Sequence, residues 1–163
     1  MREIAWDEIC ADVRALRIIS PAYAGKDGEL TAVLQYVYQS VVAGEQHRAL
    51  AKLFLRIAVE EMRHLQILGK LIVRLVASPL FTACPPYPVS FYSASCVCYA
   101  RRPCEMLNAD IRAEECAIGE YTRMLALVEC GGVRAVIEDI LAEEREHLRL
   151  LREARDAGLP PRG

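Results

Sequence analysis

Apolar residues recur along this chain at the spacing of amphipathic helices and divide it into five helical stretches. The strongest pattern predicts a helix over about 47–77, with apolar residues at 50, 53, 54, 57, 65, 68, 72 and 75. The other patterns predict helices over about 5–18, 28–43, 104–128 and 133–157. A residue that precedes proline resists the α conformation, so we expect the first helix to end at Ser20-Pro21.

Residues 78–103 interrupt the helical pattern, hold five of the eight prolines and are interpreted as an irregular crossover. They separate two helical hairpins, over 28–77 and 104–157, with turns at Gly44-Glu45 and Gly131-Gly132. A linker of about 25 residues can extend about 80 Å, whereas a helix of about 30 residues is about 45 Å long. The sequence therefore predicts one all-α domain over 1–163: a four-helix bundle of two antiparallel hairpins joined by one long crossover, plus a short N-terminal helix over 5–18.

Composition and charge narrow the function classes. The chain is 53% hydrophobic and 26% charged, and its formal net charge of −2 gives no reason to expect nucleic acid or an anionic membrane as a partner. The N-terminus carries acids where a signal peptide would be basic, and no apolar run approaches a membrane span.

The number of cysteines indicates the cellular compartment of the protein. An odd count of seven cysteines predicts a reducing cytoplasm rather than a disulfide framework. Four of them fall between residues 84 and 104 without the paired C-x-x-C spacing of a zinc or rubredoxin-type site, so we interpret them as free thiols in a partly buried loop.

A motif of four residues, Glu-x-x-His, occurs twice, and each copy has an upstream glutamate followed seven residues later by a tyrosine. Corresponding residues are 85 positions apart for the upstream pairs and 83 apart for the Glu-x-x-His motifs, which an internal duplication explains. In chain order the candidate residues, with the acid that precedes each motif, are Glu29, Tyr36, Glu60, Glu61, His64, Glu114, Tyr121, Glu143, Glu144 and His147.

Helix geometry brings these side chains together. Residues three apart share a helix face, so Glu61 and His64 can reach the same ion or two adjacent ions, as can Glu144 and His147. The midpoint between Glu29 and Glu61 is residue 45, in the predicted turn, so these two glutamates should lie level in an antiparallel hairpin. Four unpaired carboxylates in an apolar interior would repel and would each cost several kcal/mol.

Two divalent cations would neutralise the four carboxylates, and two neutral imidazoles would complete the coordination. We therefore predict two iron or two manganese ions per chain, because carboxylate-rich sites accept both metals. The predicted metal ligands are Glu29, Glu61, His64, Glu114, Glu144 and His147.

On these motifs the chain resembles the ferritin-like superfamily, in particular its bacterioferritin, rubrerythrin and manganese catalase branches. The matching stretches are residues 29–36, 60–64, 114–121 and 143–147. The resemblance implies a ferritin-like bundle, terminal or bridging roles for Glu61 and Glu114 without deciding which, and hydrogen bonds from Tyr36 and Tyr121 to metal-bound carboxylates.

Some positions depart from the family pattern. Glu60 and Glu143 stand where members often carry Asp, and we expect these longer acids to hold the ligand histidines through hydrogen bonds. Ala117 stands where rubrerythrins carry a further glutamate, and the chain has no rubredoxin domain, so any electron donor would be a separate protein. Met62 resembles the methionine that binds haem in bacterioferritin, but a methionine that fills space at a helix contact explains it, and we do not expect haem.

These residues predict an oxidoreductase that acts on hydrogen peroxide or dioxygen, as a peroxidase or a catalase. A ferroxidase or iron-storage protein of the bacterioferritin type is the alternative, and a metal-stabilised scaffold without catalysis is the second alternative. The apolar surface of the 28–43 helix predicts burial on more than one side and hence a homo-oligomer, at least a dimer. That surface consists of Leu30, Leu34, Val37, Tyr38 and Val41.

Overall fold

The computed structural model of the chain describes residues 4, 6–44, 46–82 and 90–158. Within these ranges the α-helices are α1 (Val13–Ala24), α2 (Glu29–Ala43), α3 (Arg48–Arg74), α4 (Pro103–Leu127) and α5 (Gly131–Asp156). Two short 3-10 turns, Trp6–Glu8 and Ala94–Cys96, precede α1 and α4. No helix in the described part of the chain is both long enough and apolar enough to cross a membrane.

The predicted all-α bundle of two hairpins is confirmed. The most extensive packing is between α2 and α3 and between α4 and α5, and the long connection between residues 75 and 102 joins the two hairpins. Cys84 and the rest of 83–89 in the predicted crossover, and Glu45 in the predicted first turn, lie outside the described residues. The extent of the domain over 1–163 stays a prediction.

Two apolar clusters fill the bundle interior, one on either side of its middle. Along α3, Phe54 and Ile57 belong to one cluster and Leu68 and Leu71 to the other, with Glu61 and His64 between them. The same order holds on α5, where Glu144 and His147 separate the two clusters. The core is therefore interrupted at mid-height by a layer of buried polar side chains.

The N-terminal helix differs from the prediction of 5–18. It begins at Val13, where the Asp12 side chain accepts a hydrogen bond from the Ala15 amide at 2.9 Å, and it continues through Pro21 to Ala24. Proline removes one helical hydrogen bond, but burial of Tyr23 and Ala24 beyond it holds the last turn against the core. Tertiary packing thus overrides the local signal to stop.

The second hairpin turn also differs in position. We predicted it at Gly131-Gly132, but α5 already begins at Gly131 and the turn occupies residues 128–130. The Arg134 guanidinium donates to the carbonyls of Leu125 and Val128 at the end of α4. These carbonyls have no intrahelical partner, so the arginine closes α4 and fixes the start of α5 beside it.

Candidate metal centre

The six predicted ligands meet in the polar layer at the middle of the bundle. α2 and α4 each contribute one glutamate, and α3 and α5 each contribute one glutamate and one histidine. Each of these side chains belongs to a residue that exposes 4% or less of its surface. The residues so brought together are Glu29, Glu61, His64, Glu114, Glu144 and His147.

Their potential ligand atoms form two overlapping groups, within each of which the atoms lie no more than 4.8 Å from one another. The first group is Glu29, Glu61, His64 and Glu144. The second group is Glu61, Glu114, Glu144 and His147. Because Glu61 and Glu144 belong to both groups, this donor set fits two cations side by side that share two carboxylates.

Both histidines direct Nδ1 toward the shared carboxylates. His64 Nδ1 lies 2.9 Å from Glu61 Oε2 and 3.1 Å from Glu144 Oε1. His147 Nδ1 lies 3.0 Å from Glu61 Oε1 and 3.4 Å from Glu144 Oε2, yet it is buried and makes no hydrogen bond within the described residues. A buried His147 Nδ1 that lies close to two carboxylates without a hydrogen bond is an atom that a shared cation would satisfy, so the residues present fit a metal pair.

The other ring nitrogen of each histidine contacts an acid of the opposite hairpin. His64 Nε2 lies 3.1 Å from Glu143 Oε2, and His147 Nε2 lies 2.9 Å from Glu60 Oε2. A proton on Nε2 leaves the Nδ1 lone pair available to a metal, since the hydrogen bond at one nitrogen sets the tautomer. Each ligand histidine therefore donates to one of these longer acids, and each hydrogen bond crosses between hairpins.

The two tyrosines also connect the hairpins crosswise. Tyr36 on α2 donates to Glu114 Oε1 on α4, and Tyr121 on α4 donates to Glu29 Oε1 on α2. Burial and then the neighbouring carboxylates raise the pKa of both tyrosines well above the usual value, so both hydroxyls keep their protons. The sequence predicted both contacts from the resemblance, but it did not predict that each tyrosine reaches the other hairpin.

The electrostatics of the carboxylates disfavour more negative charge. Burial, followed by the charge of Glu29, raises the pKa of Glu61. Burial, followed by the charge of Glu144, raises the pKa of Glu114 well above its usual value. These acids hold protons more tightly than they would in water because charged carboxylates are costly and mutually repulsive in this interior.

The neighbouring carboxylates also shift the pKa values of the two histidines. Burial alone would lower the pKa of His147, but the neighbouring carboxylates of Glu144 and Glu61 outweigh burial and raise it to about 10. Burial would likewise lower the pKa of His64, yet hydrogen bonds with Glu143 and Glu144 raise it well above its usual value. The site thus stabilises positive charge in its centre, whether protons or metal cations bring it.

A cavity of about 550 Å³ reaches the carboxylates from the side of α2 and α4. Its inner wall includes the acids Glu29, Glu61, Glu114 and Glu144 and the tyrosines Tyr36 and Tyr121. Small residues at every fourth position of α4, Ala109, Ala113 and Ala117, leave the space in front of them open. The histidines lie behind the carboxylates on α3 and α5, so a small molecule can approach the carboxylate face. Met62 lies in neither ligand group and is exposed on the outside of α3.

A second buried polar cluster, which the motifs did not predict, lies one helical turn from Glu114. Asp110 on α4 is fully buried, and its Oδ1 accepts hydrogen bonds from the Gln35 and Gln39 amides of α2, both at 2.8 Å. Burial raises the pKa of Asp110 to about 7. The spacing of Asp110 four residues before Glu114, and of Gln35 four before Gln39, placed each pair on one helix face and was the available signal.

A family model described as manganese containing catalase matches residues 9–83, which is less than half of the chain. The match covers the first hairpin and therefore Glu29, Glu61 and His64 of the site. No curated protein sequence gives a significant match to the chain.

Solved structures match most of the chain. The manganese catalase KatB from Anabaena superposes with a TM-score of 0.79 at 24% identity, over 91% of this chain and 74% of that one. The bacterioferritin BfrA of Mycobacterium tuberculosis gives 0.75 at 20% identity, over 91% and 87%. A dodecameric thioferritin, the bacterioferritin-related protein of Bacteroides fragilis, gives 0.69 at 25% identity, over 88% and 85%. The chain therefore shares the helical fold of manganese catalase and bacterioferritin, as its repeated motifs predicted.

Proposed function

We propose that this protein is an oxidoreductase that holds two iron or two manganese ions per chain and reduces or disproportionates hydrogen peroxide. The observation that carries the proposal is the pair of overlapping four-residue groups with two carboxylates, Glu61 and Glu144, in common. The partial match to manganese containing catalases supports peroxide as the substrate. Six free cysteines among the described residues support a reducing cytoplasm as its location.

The overlap of the two groups supports a proposal for the role of each ligand. Glu61 and Glu144 would bridge the two ions, because both belong to both groups. Glu29 and Glu114 would each serve one ion, together with the histidine of their own group. The resemblance left open whether Glu61 or Glu114 bridges, and the geometry favours Glu61 with Glu144.

The metal pair, when bound, supplies the redox equivalents and the Lewis acidity for breaking an oxygen–oxygen bond. The chain supplies the rest. Tyr36 and Tyr121 hold Glu114 and Glu29 through hydrogen bonds, which keeps those carboxylates oriented toward the centre. The cavity between α2 and α4 admits the oxidant to the carboxylate face, while the apolar clusters above and below exclude bulk water.

A ferroxidase or iron-storage function is the second candidate. The structural similarity to bacterioferritins favours it, because those proteins share the bundle over about nine-tenths of this chain. A storage function requires a hollow assembly of many subunits, which a small oligomer cannot form.

We further propose that the chain forms a homo-oligomer in which a second copy covers the outer face of α2 and α3. That face exposes apolar side chains at helical spacing on both helices: Leu34, Val37 and Val41 on α2, and Leu55, Val59 and Met62 on α3. Exposed apolar surface of this kind is typical of an interface between subunits. The dodecameric assembly of the Bacteroides fragilis relative supports self-association.

Metal content and peroxide turnover test the leading function. Protein purified without added metal should contain about two equivalents of iron or manganese per chain, and it should consume peroxide. Glu61→Gln and Glu144→Gln should lose both metal and turnover, whereas Glu115→Gln, an exposed acid paired with Arg152 at 2.6 Å, should retain them. A metal-loaded protein that consumes no peroxide contradicts the proposal.

Particle size and iron uptake separate the two candidates. A particle of hundreds of kilodaltons that oxidises and retains many Fe(II) ions per chain supports storage. A small oligomer that consumes peroxide without accumulating iron supports the peroxide enzyme.

A further inference from the structure

Three cysteines line the same cavity as the carboxylates of the metal centre. Cys96 and Cys98 come from the crossover between the hairpins, and Cys116 comes from α4. All three are free thiols. Peroxide is a small molecule that needs only a narrow path, so neither the width of the cavity nor its thiols follow from the proposed reaction alone.

The crossover segment that carries two of these thiols is anchored to α2. The backbone amide of Cys98 donates to Gln35 Oε1 at 2.9 Å, and the Tyr92 hydroxyl lies 3.0 Å from Thr31 Oγ1. Thr31 and Gln35 are one turn apart on α2, and Gln35 is itself bonded to the buried Asp110. The polar cluster of Asp110, Gln35 and Gln39 therefore fixes Cys98 at the cavity wall.

The spacing of Cys96 and Cys98 favours them as a reacting pair. Val97 between them has extended backbone angles, φ −71° and ψ 137°, and is buried. Both cysteines line the same cavity, so their thiols face a common space. Cys116 is a poorer donor, because burial and then the charge of Asp27 raise the pKa of its thiol.

We propose that Cys96 and Cys98 are the immediate two-electron donor to the metal centre, which makes the protein a thiol-dependent peroxidase; this inference rests on the proposed peroxide chemistry. The two thiols give up two protons and two electrons, and a sulfur–sulfur bond forms between them. The oxygen–oxygen bond of one hydrogen peroxide breaks, and the two oxygens leave as two water molecules. An external thiol compound or dithiol protein then reduces the disulfide by thiol–disulfide exchange.

A disulfide between Cys96 and Cys98 fits a catalytic role better than a structural one, because it is easily reduced. A bridge between cysteines only two residues apart closes a very small ring, and strained or exposed disulfides are the ones that thiols reduce readily. Cys98 is exposed at the cavity wall, so an external thiol can reach it.

Differential alkylation of the metal-loaded protein tests the inference. The reduced protein, freed of reductant, receives one equivalent of hydrogen peroxide and is then alkylated with iodoacetamide, reduced, and alkylated with N-ethylmaleimide for peptide mass spectrometry. Cys96 and Cys98 should carry the second label in the metal-loaded protein and the first label in metal-free protein. Cys10 and Cys104, which are exposed but do not line the cavity, serve as internal controls and should keep the first label.

A kinetic arm uses dithiothreitol as the external donor. The double variant Cys96→Ser/Cys98→Ser should bind metal normally and lose at least ten-fold in dithiothreitol-supported peroxide turnover, whereas Cys10→Ser/Cys104→Ser should match the parent protein. If the metal-loaded protein consumes peroxide but Cys96 and Cys98 are oxidised no faster than Cys10, the thiol inference is wrong and the peroxide function stands. If the metal-loaded protein consumes no peroxide, both are wrong.

Discussion

Tyr121 donates its hydroxyl proton across the bundle to Glu29, a residue 92 positions earlier in the chain. The duplicated partner of this contact, from Tyr36 to Glu114, runs in the opposite direction between the same two helices. Each hairpin thus holds one carboxylate of the other, so neither half of the site is complete without both hairpins. The duplication is visible as two repeats in the sequence, but its halves interlock in the structure.

Tyr121→Phe removes the hydroxyl donor while preserving the ring in the apolar cluster. Without this hydrogen bond Glu29 is free to rotate, and metal affinity should fall about ten- to a hundred-fold, as for other partners of metal ligands. Competitive metal titration measures the loss. Tyr38→Phe is the matched control, because the Tyr38 hydroxyl donates to an exposed backbone carbonyl, that of Tyr99. Equal affinities for the two variants would show that the Tyr121 contact has no role in holding metal.

Glu60→Gln and Glu143→Gln test the crosswise support of the histidines. Each variant replaces the carboxylate that accepts from Nε2 with a neutral amide. The amide stabilises less well the tautomer that carries its proton on Nε2 and leaves Nδ1 free for metal. Metal affinity should fall about ten-fold in each variant, and Glu60→Gln should perturb the His147 ring while leaving the His64 ring unchanged. Nuclear magnetic resonance of histidine-labelled, zinc-loaded protein resolves the two rings. Perturbation of His64 by Glu60→Gln instead would contradict the crosswise assignment.

The sequence carried enough information to place the candidate ligands, because helix geometry alone converts their spacing into proximity. It did not carry the orientation of α2. The pattern at residues 34, 37 and 41 was apolar, but these side chains are 36%, 39% and 75% exposed, while Gln35 and Gln39 are buried. The interior at this height is a polar site, so the usual rule that the apolar face is the inner face does not apply to α2.

The local signals at the helix ends explain the errors in the predicted helix bounds. Pro21 and Gly131 are residues that normally end or precede helices, yet the first lies inside α1 and the second begins α5. Core packing decides the first case, and a side-chain contact across the turn decides the second. Propensity describes the isolated segment, and packing of Tyr23 into the core or capping by Arg134 outweighs it.

Metal removal should make stability strongly dependent on pH. In the metal-free protein the pKa values of Glu61, Glu114, His64 and His147 are all raised. The folded state then binds more protons than the unfolded state above about pH 4.5 for the acids and above about pH 6.5 for the histidines. Stability should therefore fall as pH rises. The contribution of His147 should continue to fall until about pH 10. Metal binding displaces these protons, so the increase in melting temperature on adding Mn²⁺ should be larger at about pH 8.5 than at about pH 6. An increase that is independent of pH would contradict this linkage.

Asp110→Asn should stabilise the protein at neutral and higher pH. Burial raises the pKa of Asp110 from 3.8 to about 7, although hydrogen bonds from Gln39 and Gln35 act against this shift. The folded state keeps the proton where the unfolded state loses it, so this contribution to the free energy of unfolding falls between about pH 4 and 7 and is then constant. A shift of about three units corresponds to on the order of 4 kcal/mol. The amide keeps the acceptor oxygen for both glutamines and never ionises.

Urea unfolding at about pH 5 and about pH 8 measures the effect. The difference in unfolding free energy between Asp110→Asn and the parent protein should become more favourable to the variant by a few kcal/mol at the higher pH. The exposed Asp156 pairs with Arg155 at 2.9 Å, and Asp156→Asn should show no such change. A difference that stays constant between the two pH values would mean that Asp110 is ionised throughout.

Charge on the outer face of α2 and α3 should dissociate the homo-oligomer. Val41 on α2 is 75% exposed and Val59 on α3 is 51% exposed, so glutamate at either position fits the isolated subunit without disturbing its core. In an interface, Val41→Glu or Val59→Glu would bury an unpaired carboxylate, which costs several kcal/mol and weakens self-association at least a hundred-fold. Light scattering after gel filtration should show a smaller particle with unchanged helix content. Val13→Glu introduces the same charge at an exposed valine on α1 and should leave the particle intact; loss of the assembly in that variant too would place the interface elsewhere.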